Sequence, residues 1–264
     1  IYKNPENLGT VKNLNNALRN ANGEYICMIG ADDVYYSNEV IEKLVNSLEE
    51  YRELFLVTGK TLSCSENLKL IKSTRVELSN LMQEEITKLN KNERIACVIK
   101  HNLIFLATQS CCFKKEFFSK YGLYDERYVL MEDLPMMLRI LNKQINFKCI
   151  NNYIVLHREK TGISSTLKII SMNSNRYYKD MHNFFLNELV GYKDVIGKLY
   201  LDNNISLYEF RCKYVKYNID NNTQLSKLVL ILKYFDIIFL YMVFKFKNTI
   251  LNKILLWKIK WQKY

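Results

Sequence analysis

Proline and glycine are scarce, at two and eight in 264 residues. Disordered and collagen-like chains are rich in one or both, so this sequence belongs with packed globular proteins. Its length allows a sizeable core in one or two domains. There are only three histidines, and neither a CxxC pair nor a Cys/His spacing suits structural zinc. The cysteines number seven, which is odd. They read as small buried hydrophobes of a reducing compartment, with Cys27 and the adjacent Cys111 and Cys112 in apolar stretches. The N-terminus lacks a starting methionine and a secretory apolar core. It opens on Ile1-Tyr2-Lys3-Asn4-Pro5, which reads as the end of a strand and therefore as a fragment.

Long apolar runs are missing too. Leu228–Leu232 and Ile237–Phe244 are interrupted by Lys233 and Asp236, whereas a membrane-spanning helix needs roughly 20 mostly apolar residues. The net charge of +11 is unevenly spread. Ser226–Tyr264 holds eight lysines and one aspartate, a net of +7. A local anionic partner fits that distribution better than a nucleic-acid surface, and no basic-aromatic interleaving suggests RNA binding. A helical wheel over 245–264 puts Phe246, Ile250, Ile254, Trp257 and Trp261 on one stripe. Lys245, Lys253, Lys260 and Lys263 flank it, a pattern suited to a helix lying in an anionic membrane surface.

Along the first part of the chain, strand and helix signals alternate, the mark of an α/β fold. Apolar spacing predicts a helix over 10–22, ended by Asn22-Gly23 in a left-handed cap. A strand follows at Tyr25–Ile29, then a helix through Val40, Leu44 and Leu48 capped by Ser37-Asn38-Glu39. Leu54–Gly59 reads as a short buried strand, and 64–94 as a loop with one helix. His101–Phe113 has strand character, 114–118 reads as a short helix, and 133–142 as a longer one. Strands are expected at Phe147–Ile150 and Tyr153–Leu156. Beyond about Leu167 the pattern is helical only, so a boundary is expected near 164–168.

Two acidic clusters carry the most chemistry. Ala31-Asp32-Asp33 follows the apolar run Tyr25–Ile29, where an open α/β sheet presents ligand-binding groups. Met131-Glu132-Asp133 opens an apolar helix, whose N-terminus favours anions. One pair is placed to hold a metal and the other to take a proton. The plain alternatives are a turn or cap role for Asp32-Asp33 and simple helix-end charges for Glu132-Asp133.

The run Asn7-Leu8-Gly9, Asn15, Ala21-Asn22-Gly23-Glu24-Tyr25-Ile26 and Gly30-Ala31-Asp32-Asp33 resembles the donor-binding half of family 2 glycosyltransferases. Gln109-Ser110-Cys111-Cys112-Phe113, Gly122-Leu123-Tyr124-Asp125-Glu126 and Glu132-Asp133-Leu134-Pro135 are similar to that family's acceptor-side half. The resemblance covers about residues 1–165. It implies a GT-A-like mixed α/β sheet flanked by helices, with 166–264 as a helical extension carrying the membrane-associating tail. It also implies an N-terminal truncation of roughly two strand–helix units, each of ~30 residues. Such a fragment is expected to be inactive alone, with Tyr25–Ile29 near an open sheet edge.

By resemblance, Asp33 is the metal ligand for Mn²⁺ or Mg²⁺, and Asp32 touches ribose or phosphate. Asp133 is the catalytic base, Glu132 binds an acceptor or sugar hydroxyl, and Gln109 is a candidate sugar contact. The implied reaction is inverting transfer of a hexosyl-type sugar from a nucleotide-sugar donor to a saccharide or lipid-linked acceptor. The setting would be surface-polysaccharide synthesis at the cytoplasmic face of the cell membrane. The sequence departs from the family at Leu14, where many members are basic, and at His157-Arg158-Glu159-Lys160. There the family histidine aligns with Lys160 and His157 comes three residues early, so both read as a solvated loop. Arg139 reads as a partner for a nearby acid. The rival to an enzyme is a membrane-surface scaffold with a degenerate transferase fold.

Overall fold

The computed structural model describes residues 3–101, 104–159 and 172–219, with isolated positions between 231 and 250. The chain divides into two compact units, Ile1–Val98 with Asn102–Gly162, and Ile99–His101 with Ile163–Tyr264.

The first unit is built on a five-stranded mixed sheet of order β1-β4-β3-β5-β2. Its strands are β1 (Tyr25–Cys27), β2 (Val34–Tyr35), β3 (Leu56–Cys64), β4 (Cys111–Lys114) and β5 (Phe147–Arg158). The β3–β5 pair is parallel and the other three pairs are antiparallel. Helices α1 (Gly9–Asn20), α2 (Val40–Glu50), α3 (Thr74–Glu85), α4 (Lys91–His101), α5 (Lys115–Tyr121) and α6 (Asp133–Asn142) connect the strands.

Helix α2 places Val40, Leu44 and Leu48 on one face at four-residue spacing. That face packs on Val57, Cys112, Ile154 and Val155 of the sheet. Full burial of each such side chain contributes about 1.5–3 kcal/mol. Helix α6 differs in being apolar nearly all round, with Leu134–Leu138, Ile140 and Leu141 all buried. A helix of that kind must run through the interior. Its N-terminal acids are therefore carried inward, and Pro135 is tolerated because it lies in the first turn.

Several boundaries differ from expectation. Helix α1 stops at Asn20 and Ala21 is extended, so Asn22-Gly23 forms no left-handed cap. β1 ends at Cys27, because its register with β4 covers only three residue pairs. It forms one edge of the sheet, and the two-residue β2 forms the other. β3 does not end at Gly59 but runs on to Cys64. Its register with β5 shifts around Lys60, so the glycine marks an irregularity inside a strand. A Cβ on Gly59 would stand 2.8 Å from the Asn152 carbonyl oxygen and would also collide with Ile154. For the same reason β5 is one strand, with Asn151-Asn152 a bulge and not a break. Polar 64–94 holds α3 and the start of α4, and among the described residues of the following stretch strand structure is confined to β4.

In the second unit, α7 (Met172–Asn187) packs along α9 (Lys198–Ile219), joined through the short α8 (Lys193–Ile196). Phe184, Phe185, Leu201 and Leu207 are buried in it. Phe185 stacks on Tyr208 at 5.6 Å, and the Arg211 guanidinium lies over the Tyr178 and Tyr208 rings. Among the described residues no helix is long and apolar enough to cross a membrane. The expected amphipathic helix over 245–264 lies largely outside the described residues. Phe246 and Ile250 are within them and are exposed.

Candidate active site

Asp33 lies between β1 and β2, in a turn closed by the Asp33 backbone N–H donating to the Gly30 carbonyl at 3.1 Å. Its carboxylate is nearly buried, at 6% side-chain exposure. Oδ1 stands 3.0 Å from His157 Nδ1 and accepts the Arg158 backbone N–H at 3.1 Å. Both partners come from the end of β5, which β2 joins through the Val34–Leu156 pair. His157 is therefore not a solvated loop residue but a partner of the acid motif, brought there by antiparallel pairing. The bond to Asp33 raises the imidazole pKa above its usual value, against the opposing effect of burial. The other family-matching candidate, Lys160, lies outside the described residues.

Arg158 ties the same corner together. Its side chain donates to the Asp32 carbonyl at 2.8 Å and to the Glu66 carbonyl at 3.1 Å. Asp32 itself is half-exposed, available to a ligand.

Asp133 stands at the first position of α6, with Glu132 half-buried at the N-cap. Asp133 Oδ1 accepts two hydrogen bonds from Thr108, from the hydroxyl at 2.6 Å and the backbone N–H at 2.8 Å. Thr108 begins the short 3₁₀ turn Thr108–Ser110 before β4, and its hydroxyl also lies 3.4 Å from the buried Tyr124 hydroxyl. Burial pushes the Asp133 carboxyl above the usual carboxylate range. The Thr108 hydrogen bonds oppose that shift, followed by the positive charges of Arg75 and His157. His157 thus touches Asp33 and lies within electrostatic reach of Asp133.

The flanking motif residues prove to be scaffolding. Buried Asn15 donates from Nδ2 to the Tyr124 carbonyl at 2.9 Å and accepts the Tyr124 N–H at 3.0 Å. Glu126 joins Asn15 at 2.9 Å and Arg19 at 2.7 Å. Gly9, at φ +77, lies so close to Val129 that a Cβ would come within 2.9 Å of its carbonyl oxygen. These contacts clamp α1 to the segment leading into α6. Arg139 donates to the Leu123 and Gly122 carbonyls, at 2.6 and 3.0 Å, and, as expected of a partner for a nearby acid, its charge also acts on the Asp125 carboxyl. Gln109 is half-buried between Thr108 and Ser110 and makes no hydrogen bond to a described residue.

A model of the family described as "Glycosyl transferase family 2" matches residues 1–122. Over that stretch, somewhat under half of its length, the chain is similar to the family 2 glycosyltransferases. Its sheet and helices form the family's GT-A-like mixed α/β fold, and glycosyl transfer is the activity of that family. No curated protein matches the chain. Among solved structures it is similar to the mannosyltransferase PcManGT of Pyrobaculum calidifontis, in complex with GDP-Man and Mn²⁺. That pair shares 16% identity with a TM-score of 0.42, over 98% of this chain and 69% of the other.

Among the described residues, no three His, Cys, Asp or Glu side chains form a cluster that could hold a metal. The donors on offer are Asp33 and His157, with Asp33 Oδ2 accepting no hydrogen bond from a described residue. Divalent cations that act on phosphates often take one or two protein ligands and draw the rest from the phosphates and water. Carboxylate oxygens suit Mn²⁺ and Mg²⁺, so within this pair Asp33 is the donor that fits such a cation.

Proposed function

We propose that this glycosyltransferase inverts the anomeric centre of a sugar as it moves it from a nucleotide-sugar donor to a saccharide or lipid-linked acceptor. The observation that carries the proposal is the position of His157, bonded to Asp33 and within electrostatic reach of Asp133. In this assignment Asp33 and His157 hold the donor side, with Asp32 toward ribose or phosphate. A divalent cation held there would neutralise the diphosphate leaving group. Asp133 takes the proton of the acceptor hydroxyl as its oxygen attacks the anomeric carbon. The bond to the diphosphate breaks on the opposite face, and its electron pair leaves with the nucleoside diphosphate. An elevated carboxyl pKa suits a general base, which works best when matched to the operating pH. Gln109 and Glu132 are assigned to sugar or acceptor hydroxyls.

The proposed setting is surface-polysaccharide synthesis at the cytoplasmic face of the cell membrane. The lysine excess of the last segment supports it, as do the exposed Phe235, Phe239, Met242 and Phe246 at helical spacing.

Titration of GDP and UDP in the presence of Mn²⁺ tests the donor side. Asp33→Asn should abolish the metal-dependent part of binding and leave the circular dichroism spectrum unchanged. Metal-dependent affinity equal to wild type would remove Asp33 from that role.

A further inference from the structure

The turn between β3 and α3 has the composition of a surface that is not meant to stay in water. Every residue from Glu66 to Lys72 is exposed. Three are large and apolar: Leu68 at 40%, Leu70 at 66% and Ile71 at 42% exposure. Lys69 and Lys72 alternate with them, and exposed Arg75 follows on the first turn of α3. None of these three cations makes an ion pair with a described residue.

The turn is well formed. Ser65 N–H donates to the Lys69 carbonyl at 2.8 Å, Leu68 N–H to the Ser65 carbonyl at 2.9 Å, and Ile71 N–H to the Ser63 carbonyl at 2.8 Å. Leu68 is held at φ +59, a conformation that a bulky residue rarely adopts. The same structure fastens the turn to the catalytic site. Arg158 bridges the Glu66 carbonyl to the Asp32 carbonyl, and the charge of Arg75 acts on Asp133. The turn is therefore tied to the Asp32-Asp33 corner, and Arg75 beside it lies within electrostatic reach of Asp133.

We propose that Leu68, Leu70 and Ile71 dock into an anionic lipid surface, with Lys69, Lys72 and Arg75 facing its headgroups, so that the acceptor side of the site opens toward the bilayer. The last clause rests on the glycosyltransferase assignment; the docking itself does not. Charge decides between lipid and protein as the occupant. Lysine is depleted at protein–protein interfaces, whereas lysines edging a small apolar insertion are what an anionic bilayer attracts.

Cosedimentation of the full chain with phosphatidylcholine vesicles, with and without phosphatidylglycerol, provides the first test. Binding should require phosphatidylglycerol. The double variant Lys69→Glu/Lys72→Glu should weaken it at least about tenfold, since each lysine near a charged bilayer is worth roughly a factor of five. Leu70→Ser/Ile71→Ser should weaken it as well. Mn²⁺-dependent GDP or UDP binding should be unchanged in both, which separates this proposal from the donor-site assignment.

The second test isolates the turn from the basic tail. Leu70→Trp in a Trp257→Phe/Trp261→Phe background should shift its emission to the blue on the anionic vesicles and be quenched by brominated lipid. Unaltered emission on vesicles that sediment the protein would overturn the proposal. So would a failure to bind the anionic vesicles at all, which would leave the turn to a protein partner.

Discussion

Thr108→Val removes one hydroxyl from beside the proposed base at almost constant volume. The hydroxyl donates to Asp133 Oδ1 at 2.6 Å, while the Thr108 backbone N–H, at 2.8 Å, survives the substitution. A hydrogen bond to an ionised group contributes about 1.5–3 kcal/mol. With 1.36 kcal/mol per pKa unit, its loss corresponds to roughly one to two units. The direction follows from which form the bond favours. The hydroxyl stabilises the carboxylate, so its removal drives the Asp133 pKa further up from a value that burial has already raised. A base works only when deprotonated, so the acid limb of kcat/KM should move to higher pH by about one to two units. Within the limb the rate should fall roughly ten- to a hundredfold, and above it the variant should approach wild type. Thr108→Ser should restore the original profile. Full pH profiles with a nucleotide sugar and a membrane fraction as acceptor provide the assay. A uniform loss of rate with an unshifted limb would refute the assignment of Asp133 as the titrating base.

Two other outcomes follow from the same geometry. His157 has a folded-state pKa raised by Asp33, so the pair's stabilisation is complete below about 6.5 and is lost as pH rises through the elevated value. The unfolding free energy of the metal-free protein should therefore decline across that window, and His157→Gln should abolish the slope; an identical slope in the variant would exclude the pair as its source. Gly59→Ala drives a Cβ against the Asn152 carbonyl and Ile154, so it should lower stability by about 1–3 kcal/mol in urea denaturation, the usual cost of overpacking.

The elements legible in the sequence were those whose apolar pattern is local. Val40, Leu44 and Leu48 announce α2, and the dense apolar run after Asp133 announces α6 with its bounds intact. Elements defined by partners far along the chain were not legible. The bulge that joins two expected strands into β5, and carries β3 past Gly59, exists only in the register of the parallel pair. The two-residue β2 has no periodicity of its own and is a strand because it pairs with Leu156 and Val155.

The site shows the same division. Asp33 and Asp133 could be picked out by motif, but the residues that govern them could not. His157 was misplaced because alignment against the family's pattern favoured Lys160, whereas antiparallel pairing of β5 with β2 delivers His157 to Asp33. Thr108 carries no sequence signal beyond standing next to Gln109. Its role arises from the turn that sets both its N–H and its hydroxyl on Asp133. Arg158 and Arg75 were hidden in the same way, as ordinary surface cations until folding bonded Arg158 to Asp32 and brought Arg75 within electrostatic reach of Asp133.

The central claim is that Asp133 accepts the acceptor's proton in a site whose donor half is held by Asp33 and His157. Asp133→Asn retains the shape and most of the hydrogen bonding but cannot take a proton. The most direct measurement is the acceptor-dependent release of nucleoside diphosphate by the full-length enzyme and this variant, with nucleotide binding measured alongside. The account predicts a rate lower by about two to four orders of magnitude with donor affinity nearly unchanged. Turnover close to wild type with intact donor binding would contradict it.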